Sequence, residues 1–398
     1  MGIIKANWII VPIFFLTLLS ACGGGGGWDI SFTMDWSVAL GDINGDGLLD
    51  LAVARVSVSG PPPHPGHVAV YLQDAANPGV FFSPKNYNVG GDPEGNIALS
   101  DLNNDGKLDL VVPNSSSNDV SVLLQDAASP GSFLPALNYP CGTHPDFVAI
   151  GDLNADGRPD IAVRISGGVN ILFQDSAKPG SFLPVEHLTV PGVNWVAIGD
   201  LNGDGKDDLV TTSYHSGTIS IFFQDPNSPG RFLPAVTYGG GPHVESVAIQ
   251  DINADRLLDL VVVNIDGSGA GGIMIRLQDP AHPGQFPTAT NYASAKDSSS
   301  VAVGDLNGDG RPDLAVTAAV PWGPAYVQVF LQDAGRPGTF LMPQSFRAGG
   351  GQESIAIGDL NGDGKPDLAV NNHEGSLILF QDPTLPGIFA EGVVIPSH

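Results

Sequence analysis

Asp359-Leu-Asn-Gly-Asp-Gly-Lys-Pro-Asp367 carries oxygen-bearing side chains at its positions 1, 3, 5 and 9 and a glycine at position 6. At that spacing a short loop can fold round a hard cation. The odd-numbered side chains point inward, the glycine takes the tight turn, and the position 7 carbonyl completes the shell. One copy would say little, because Asx-turns and hairpins use the same residues. The pattern occurs seven times, beginning at Asp42, Asp101, Asp152, Asp200, Asp251, Asp305 and Asp359, with separations of 59, 51, 48, 51, 54 and 54 residues. A second motif, Gln-Asp followed by Pro-Gly and then Phe, keeps step at Gln73–Phe81, Gln125–Phe133, Gln174–Phe182, Gln224–Phe232, Gln278–Phe286, Gln332–Phe340 and Gln381–Phe389. Two motifs in one phase define a repeat of roughly 50 residues and exclude a division into two or three domains by length alone.

The fourth repeat shows what surrounds the loop. Val196-Ala-Ile-Gly-Asp200 leads in, Asp208-Leu-Val-Thr-Thr212 leads out, and Thr218–Gln224 and Arg231–Tyr238 follow. All four runs are short, apolar and β-prone, and Gly, Pro, Asn and Asp separate them. No segment carries a helical period. The expected fold is all-β, a seven-bladed β-propeller of four-stranded antiparallel blades. The repeats fall at about 36–90, 91–143, 144–191, 192–241, 242–294, 295–348 and 349–398. A nonapeptide β-helix would show shorter periods, and EF-hands need flanking helices and a glutamate at position 12.

The Asp-x-Asn-x-Asp-Gly-x-x-Asp loops between strands, as in Asp152–Asp160 and Asp305–Asp313, resemble the FG-GAP/VCBS repeat family. That family includes the propeller of integrin α-chains and many bacterial surface proteins. The resemblance spans residues 36–398 and implies a calcium-bearing propeller, often used in adhesion or ligand binding. It implies no single activity, since function lives in sites grafted on folds.

The candidate metal ligands follow by position. They are Asp42, Asn44, Asp46 and Asp50; Asp101, Asn103, Asp105 and Asp109; Asp152, Asn154, Asp156 and Asp160; and Asp200, Asn202, Asp204 and Asp208. The last three loops give Asp251, Asn253, Asp255 and Asp259; Asp305, Asn307, Asp309 and Asp313; and Asp359, Asn361, Asp363 and Asp367. Carboxylates with one amide suit calcium, and nothing nearby supplies the His or Cys that zinc favours. Six to seven ions are expected, with the loop at 251–259 the weakest, because Arg256 stands where the others have glycine. A non-glycine residue at positive φ costs about 1 kcal/mol or more.

The chain has 398 residues, 16 basic against 42 acidic, and a formal charge of −26. Three aspartates in each loop account for half of the acids, so the acidity is largely a property of the repeat. So few Lys and Arg make a poor nucleic-acid binder. Met1 to Ala21 reads as an export signal, with Lys5 ahead of an apolar run from Trp8 to Leu19. Leu19-Ser20-Ala21-Cys22 matches the lipobox of bacterial lipoproteins, which makes Cys22 the lipidation site. Residues 22–35, with glycines 23–27, then form a tether. The expected location is the bacterial cell envelope, with a lipid anchor in the outer membrane or at the cell surface.

Strand direction puts the metal loops and Pro-Gly turns on one face, nearly identical in every repeat. The remaining connections vary and lie on the other face, where binding surfaces of repeat folds gather. The candidates there are His144, Tyr214, His215, His243, Glu245, Trp322, Tyr326 and His373, and the same face also collects His64, His67, Glu353 and Glu374. They suit a carbohydrate or protein ligand. No nucleophile or acid–base pair with a recognisable signature can be assembled. A calcium-dependent polysaccharide lyase, using His144 or His243 with Glu245 or Glu353, is the alternative, and a structural envelope protein is the third reading. Cys141 has no motif around it.

Overall fold

β-Branched runs cut by turn residues every few positions cannot sustain a helix and pair instead with their neighbours in the chain. The structure, a computed structural model, describes residues 32–58, 64–265, 271–295, 298–318, 325–349, 352–372, 375–390 and 392–395. Among the described residues there are strands only, grouped in seven sheets of four antiparallel strands in simple chain order. The first strands of successive sheets lie against one another all round the ring, and the opening strand, Phe32–Gly41, meets that of the seventh sheet, Gln352–Gly358. First strands are therefore innermost and fourth strands outermost, which makes the chain a seven-bladed propeller. The export signal, Cys22 and the glycine run lie outside the described residues.

The strands of the fourth repeat are Val193–Gly199, Asp208–Ser213, Thr218–Phe222 and Val236–Gly239. The last starts five residues later than its sequence suggests, because Arg231–Ala235 belongs to the Pro-Gly connection. There only an isolated bridge, Gln224 to Phe232, joins the two limbs.

The core lies in the seams between blades. Seven buried clusters each draw on two neighbouring blades. Second strands such as Asp109–Asn114 and Asp313–Ala318 are buried along their whole length, so they read as continuous apolar runs instead of alternating. Leu360, Ala369, Ile378 and Ile395 pack on Val38, Leu51, Val53 and Tyr71 where the seventh blade meets the first. All four strands of each blade come from one repeat, so the ends do not interlock and this packing closes the ring.

The second motif holds neighbouring blades together. The side-chain amides of Gln125, Gln174, Gln224, Gln332 and Gln381 donate to the carbonyls of Ile43, Leu102, Asp152, Ile252 and Leu306, each in the metal loop of the preceding blade. The Pro-Gly turn lies against that same loop. At Gly131 (φ 75°) a Cβ would sit 2.9 Å from Leu72 and 3.1 Å from Asn44, so the turn needs glycine for both backbone and space. The motif's Phe meets an aromatic ring of the preceding blade edge-on, as in Tyr87–Phe133 at 5.3 Å and Tyr292–Phe340 at 5.6 Å.

Candidate functional site

The seven Asp-rich loops, the candidate metal sites, share one hydrogen-bond pattern. The position 1 aspartate accepts the N–H groups of positions 5 and 6, as Asp200 does from Asp204 at 3.1 Å and Gly205 at 2.8 Å. The asparagine at position 3 accepts the position 5 N–H, and the aspartate at position 5 accepts that of position 7. Position 9 differs. Asp208 is fully buried, one oxygen accepting from Leu201 N–H at 3.0 Å and the other from Gln224 N–H at 2.9 Å. Its counterparts Asp50, Asp109, Asp160, Asp259, Asp313 and Asp367 make the same pair of bonds.

Position 9 is thus a structural hub joining the loop to the Gln-Asp motif, a task its sequence position does not reveal. Burial raises its carboxyl, to about 6 in Asp50, Asp109, Asp259, Asp313 and Asp367 and to about 7 in Asp160 and Asp208. The backbone donors oppose that rise, and the neighbouring aspartates add to it. Among the described residues no three side chains of His, Cys, Asp or Glu gather at metal-ligand distances. Each loop instead offers oxygens from a half-buried aspartate at position 1, an exposed aspartate at position 5 and an asparagine, beside the inward-turned position 9. Every carboxylate oxygen that accepts one N–H keeps a second lone pair. This all-oxygen donor set fits a hard divalent cation and would hold it through positions 1, 3, 5 and 9.

Position 4 also takes positive φ, a demand the sequence hides because Asn104, Ala155 and Ala254 occupy it in three loops. The fifth loop therefore holds two non-glycine residues there, Ala254 at 63° and Arg256 at 71°. It still makes the hydrogen bonds of the others.

The opposite face bears a cavity of about 210 Å³ lined by Trp36, Glu94, Gly95, Asn96, Asp146, Phe147, Trp195 and Ser354. These residues belong to blades 1, 2, 3, 4 and 7, and only the propeller axis lies within reach of all five. Inner strands run toward the metal loops, so residues near their starts mark the other end of the axial channel. β-Bulges sit at those starts in blades 1, 4, 5 and 7, where Trp36, Asn194, Glu245 and Glu353 are the extra residues. A bulge re-aims a side chain at the edge of a sheet. Phe147 and Trp195 meet across blades as a tilted pair, 4.4 Å between ring centroids and 41° between planes. Asn96 exchanges two hydrogen bonds with the backbone of Val148, and Asn194 donates to the carbonyls of Val244 and Glu245. These cross-blade bonds fix the mouth before any ligand arrives.

Two carboxyls line the pocket. Burial pushes Asp146 up to about 7, with Arg164 lowering it and Glu94 raising it further. Arg164 pairs with Asp146 Oδ2 and also donates to the Val193 carbonyl at 3.0 Å, while Asp146 Oδ1 is buried without a side-chain donor. Burial likewise raises Glu94, a Ser115 hydrogen bond opposes it, and Asp92 adds to the rise. His64 binds Asp92 at 2.9 Å, and Arg55 is sealed against Asp35 at 2.6 Å.

The sequence candidates lie mostly round this mouth and not in it. His144 is exposed at positive φ beside Glu94, and His243 stacks on Tyr214 at 4.5 Å with His215 edge-on to the same ring. Tyr326 begins a third strand, half-buried. Trp322, His373 and Glu374 lie outside the described residues. The pairing of His144 or His243 with Glu245 or Glu353 is replaced at the pocket by Glu94 and Asp146. Cys141 is fully buried, and burial pushes its thiol up to about 12, so both access and ionisation disfavour a nucleophile there.

One signal could have found the pocket. Counting six residues back from each loop gives Trp36, Gly95, Asp146, Asn194, Glu245, Ser299 and Glu353, a position that varies strongly beside loops that are nearly uniform.

The FG-GAP-like repeat pattern matches residues 42–112, 101–163, 152–211, 200–262, 251–316 and 318–370. No curated protein sequence matches the chain. Among solved structures, the rhamnogalacturonan lyase YesW aligns over 92% of this chain and 73% of its own at 14% identity, with a TM-score of 0.51. A putative 6-phosphogluconolactonase from Bacteroides uniformis covers 80% of this chain and 97% of its own at 12% identity and a TM-score of 0.51. A rhamnogalacturonan lyase from Bacillus licheniformis covers 85% and 70% at 13% identity and a TM-score of 0.50. At such identities the likeness concerns the fold alone.

Proposed function

Because the chain belongs to the FG-GAP-like repeat family, we propose that it is a calcium-stabilised binding propeller of the bacterial envelope, anchored through Cys22, with its ligand site at the axial mouth. The observation that carries this reading is the pocket itself. Three aromatic rings and two carboxyls converge there, held by cross-blade hydrogen bonds, on the face whose loops differ between repeats. Flat rings beside hydrogen-bonding groups suit a sugar or a protein side chain. A volume of about 210 Å³ takes one sugar-sized group and not a long stretch of polymer.

A lyase reading draws on the two rhamnogalacturonan lyases of similar fold and on Glu94 and Asp146, whose raised pKa values suit acid–base work. Electrostatics count against it for an acidic sugar. The cation in reach of the pocket is Arg164, already engaged by Asp146 and Val193, so a uronate would meet two carboxylates with little to offset them. Binding without cleavage is therefore the reading adopted. The test is retention of the purified protein on a polysaccharide panel, in calcium and in chelator, while new reducing or unsaturated ends are assayed. Retention without new ends supports a binding module, and new ends would make it an enzyme.

A further inference from the structure

Taking the axial mouth as the binding site, we infer that it recognises a protonated amino group on a sugar ring, an unacetylated amino sugar within a glycan. The argument starts from the sign of the pocket. Glu94 and Asp146 line it, and the acid Glu245 occupies the bulge position at the start of blade 5. The opposing charges are already committed. Arg164 is held by Asp146 and the Val193 carbonyl, Arg55 by Asp35, and His64 by Asp92. His144, exposed at the rim, is the remaining imidazole close to Glu94. Asp146 Oδ1 has no side-chain donor, and an ammonium carries three.

The walls agree with the charge. Trp36, Phe147 and Trp195 line the same cavity as those carboxyls, and aromatic rings attract cations most strongly where water is partly excluded. The same rings suit the C–H surface of a pyranose ring, whereas the slender end of a lysine side chain would leave most of the cavity filled with water. Burial raises both carboxyls, and an ammonium placed between them relieves that cost. A chain of net charge −26 also steers cationic ligands toward it.

The experiment titrates the purified protein in calcium at pH 7 and 0.15 M salt with a β-1,4-linked glucosamine tetrasaccharide, its fully N-acetylated counterpart and tetralysine. Calorimetry and tryptophan fluorescence report binding for the wild type, Glu94→Gln and Trp195→Ala. The inference expects the free amine to bind at least about tenfold tighter than the acetylated sugar and tighter than tetralysine. Glu94→Gln should weaken the amine alone, by about ten- to hundredfold, the usual worth of one charged hydrogen bond. An unchanged melting temperature for Glu94→Gln separates that loss from misfolding. Equal affinity for the two sugars, or preference for tetralysine, overturns the amino-sugar inference. If Trp195→Ala still removes the neutral sugar's binding, the pocket survives as the binding site. If Trp195→Ala changes nothing, both the inference and the site reading fall.

Discussion

Replacing Asp208 by alanine separates the two tasks combined in each metal loop. Asp208 is fully buried and satisfies Leu201 N–H and Gln224 N–H with its two oxygens. Removing the carboxylate leaves two buried amide donors unpaired, at about 1–3 kcal/mol each. Relief of a desolvated charge offsets part of that cost, so the net loss should fall at about 2–3 kcal/mol. The loss needs no metal and should appear in full in chelator. Asp204→Asn provides the contrast. Asp204 is exposed and an asparagine oxygen can still accept Lys206 N–H, so the metal-free protein should change by less than about 0.5 kcal/mol. In calcium, however, it should lose up to about 2.7 kcal/mol, the linkage expected at a hundredfold excess over the dissociation constant. Urea unfolding of both variants, with and without calcium, reads the four values. If Asp208→Ala were as stable as wild type in chelator, position 9 would be a ligand only and its hub role would be wrong.

Three further outcomes follow from the same geometry. Gln125→Leu removes the donor to Ile43 and Leu108 carbonyls across the seam between blades 1 and 2, and urea unfolding should show a loss of about 1–3 kcal/mol with or without calcium. Arg256→Gly relieves a positive φ of 71° and should stabilise the metal-free protein by up to about 1 kcal/mol, and calcium titration should show a tighter fifth site. The pH dependence should reverse with metal. The seven position 9 carboxyls sit at about 6 to 7 in the folded metal-free chain, above their unfolded value. The folded state therefore binds protons more tightly, so in chelator the melting temperature should rise as pH falls from 8 toward 6 and drop as pH rises through 7. In calcium, protons compete with the ion and the trend should turn over.

Blade number, strand order and the two faces were legible because the repeat states them seven times. The common fold of the seven loops was legible for the same reason. What the repeat conceals is pairing across seams: nothing local in Gln125 indicates that its amide reaches a carbonyl 82 residues earlier, and nothing in Asp208 distinguishes a hub from a ligand. The axial pocket was hidden for a different reason. Trp36, Asp146 and Trp195 lie in separate repeats, and the bulges that aim residues such as Trp36 and Asn194 are register irregularities without a sequence signature. Histidines and aromatics stand out in the longest loops of the sequence, whereas short entries to inner strands converge on the axis.

The most direct test is retention of wild-type protein and the Trp36→Ala/Trp195→Ala double variant on whichever glycan of the panel holds the wild type, with calcium present and the melting temperature recorded for each. Recognition at the axial mouth predicts that the double variant elutes with the unretained fraction while melting within a few degrees of wild type. Full retention by a folded double variant would contradict it and move the ligand to another part of the propeller.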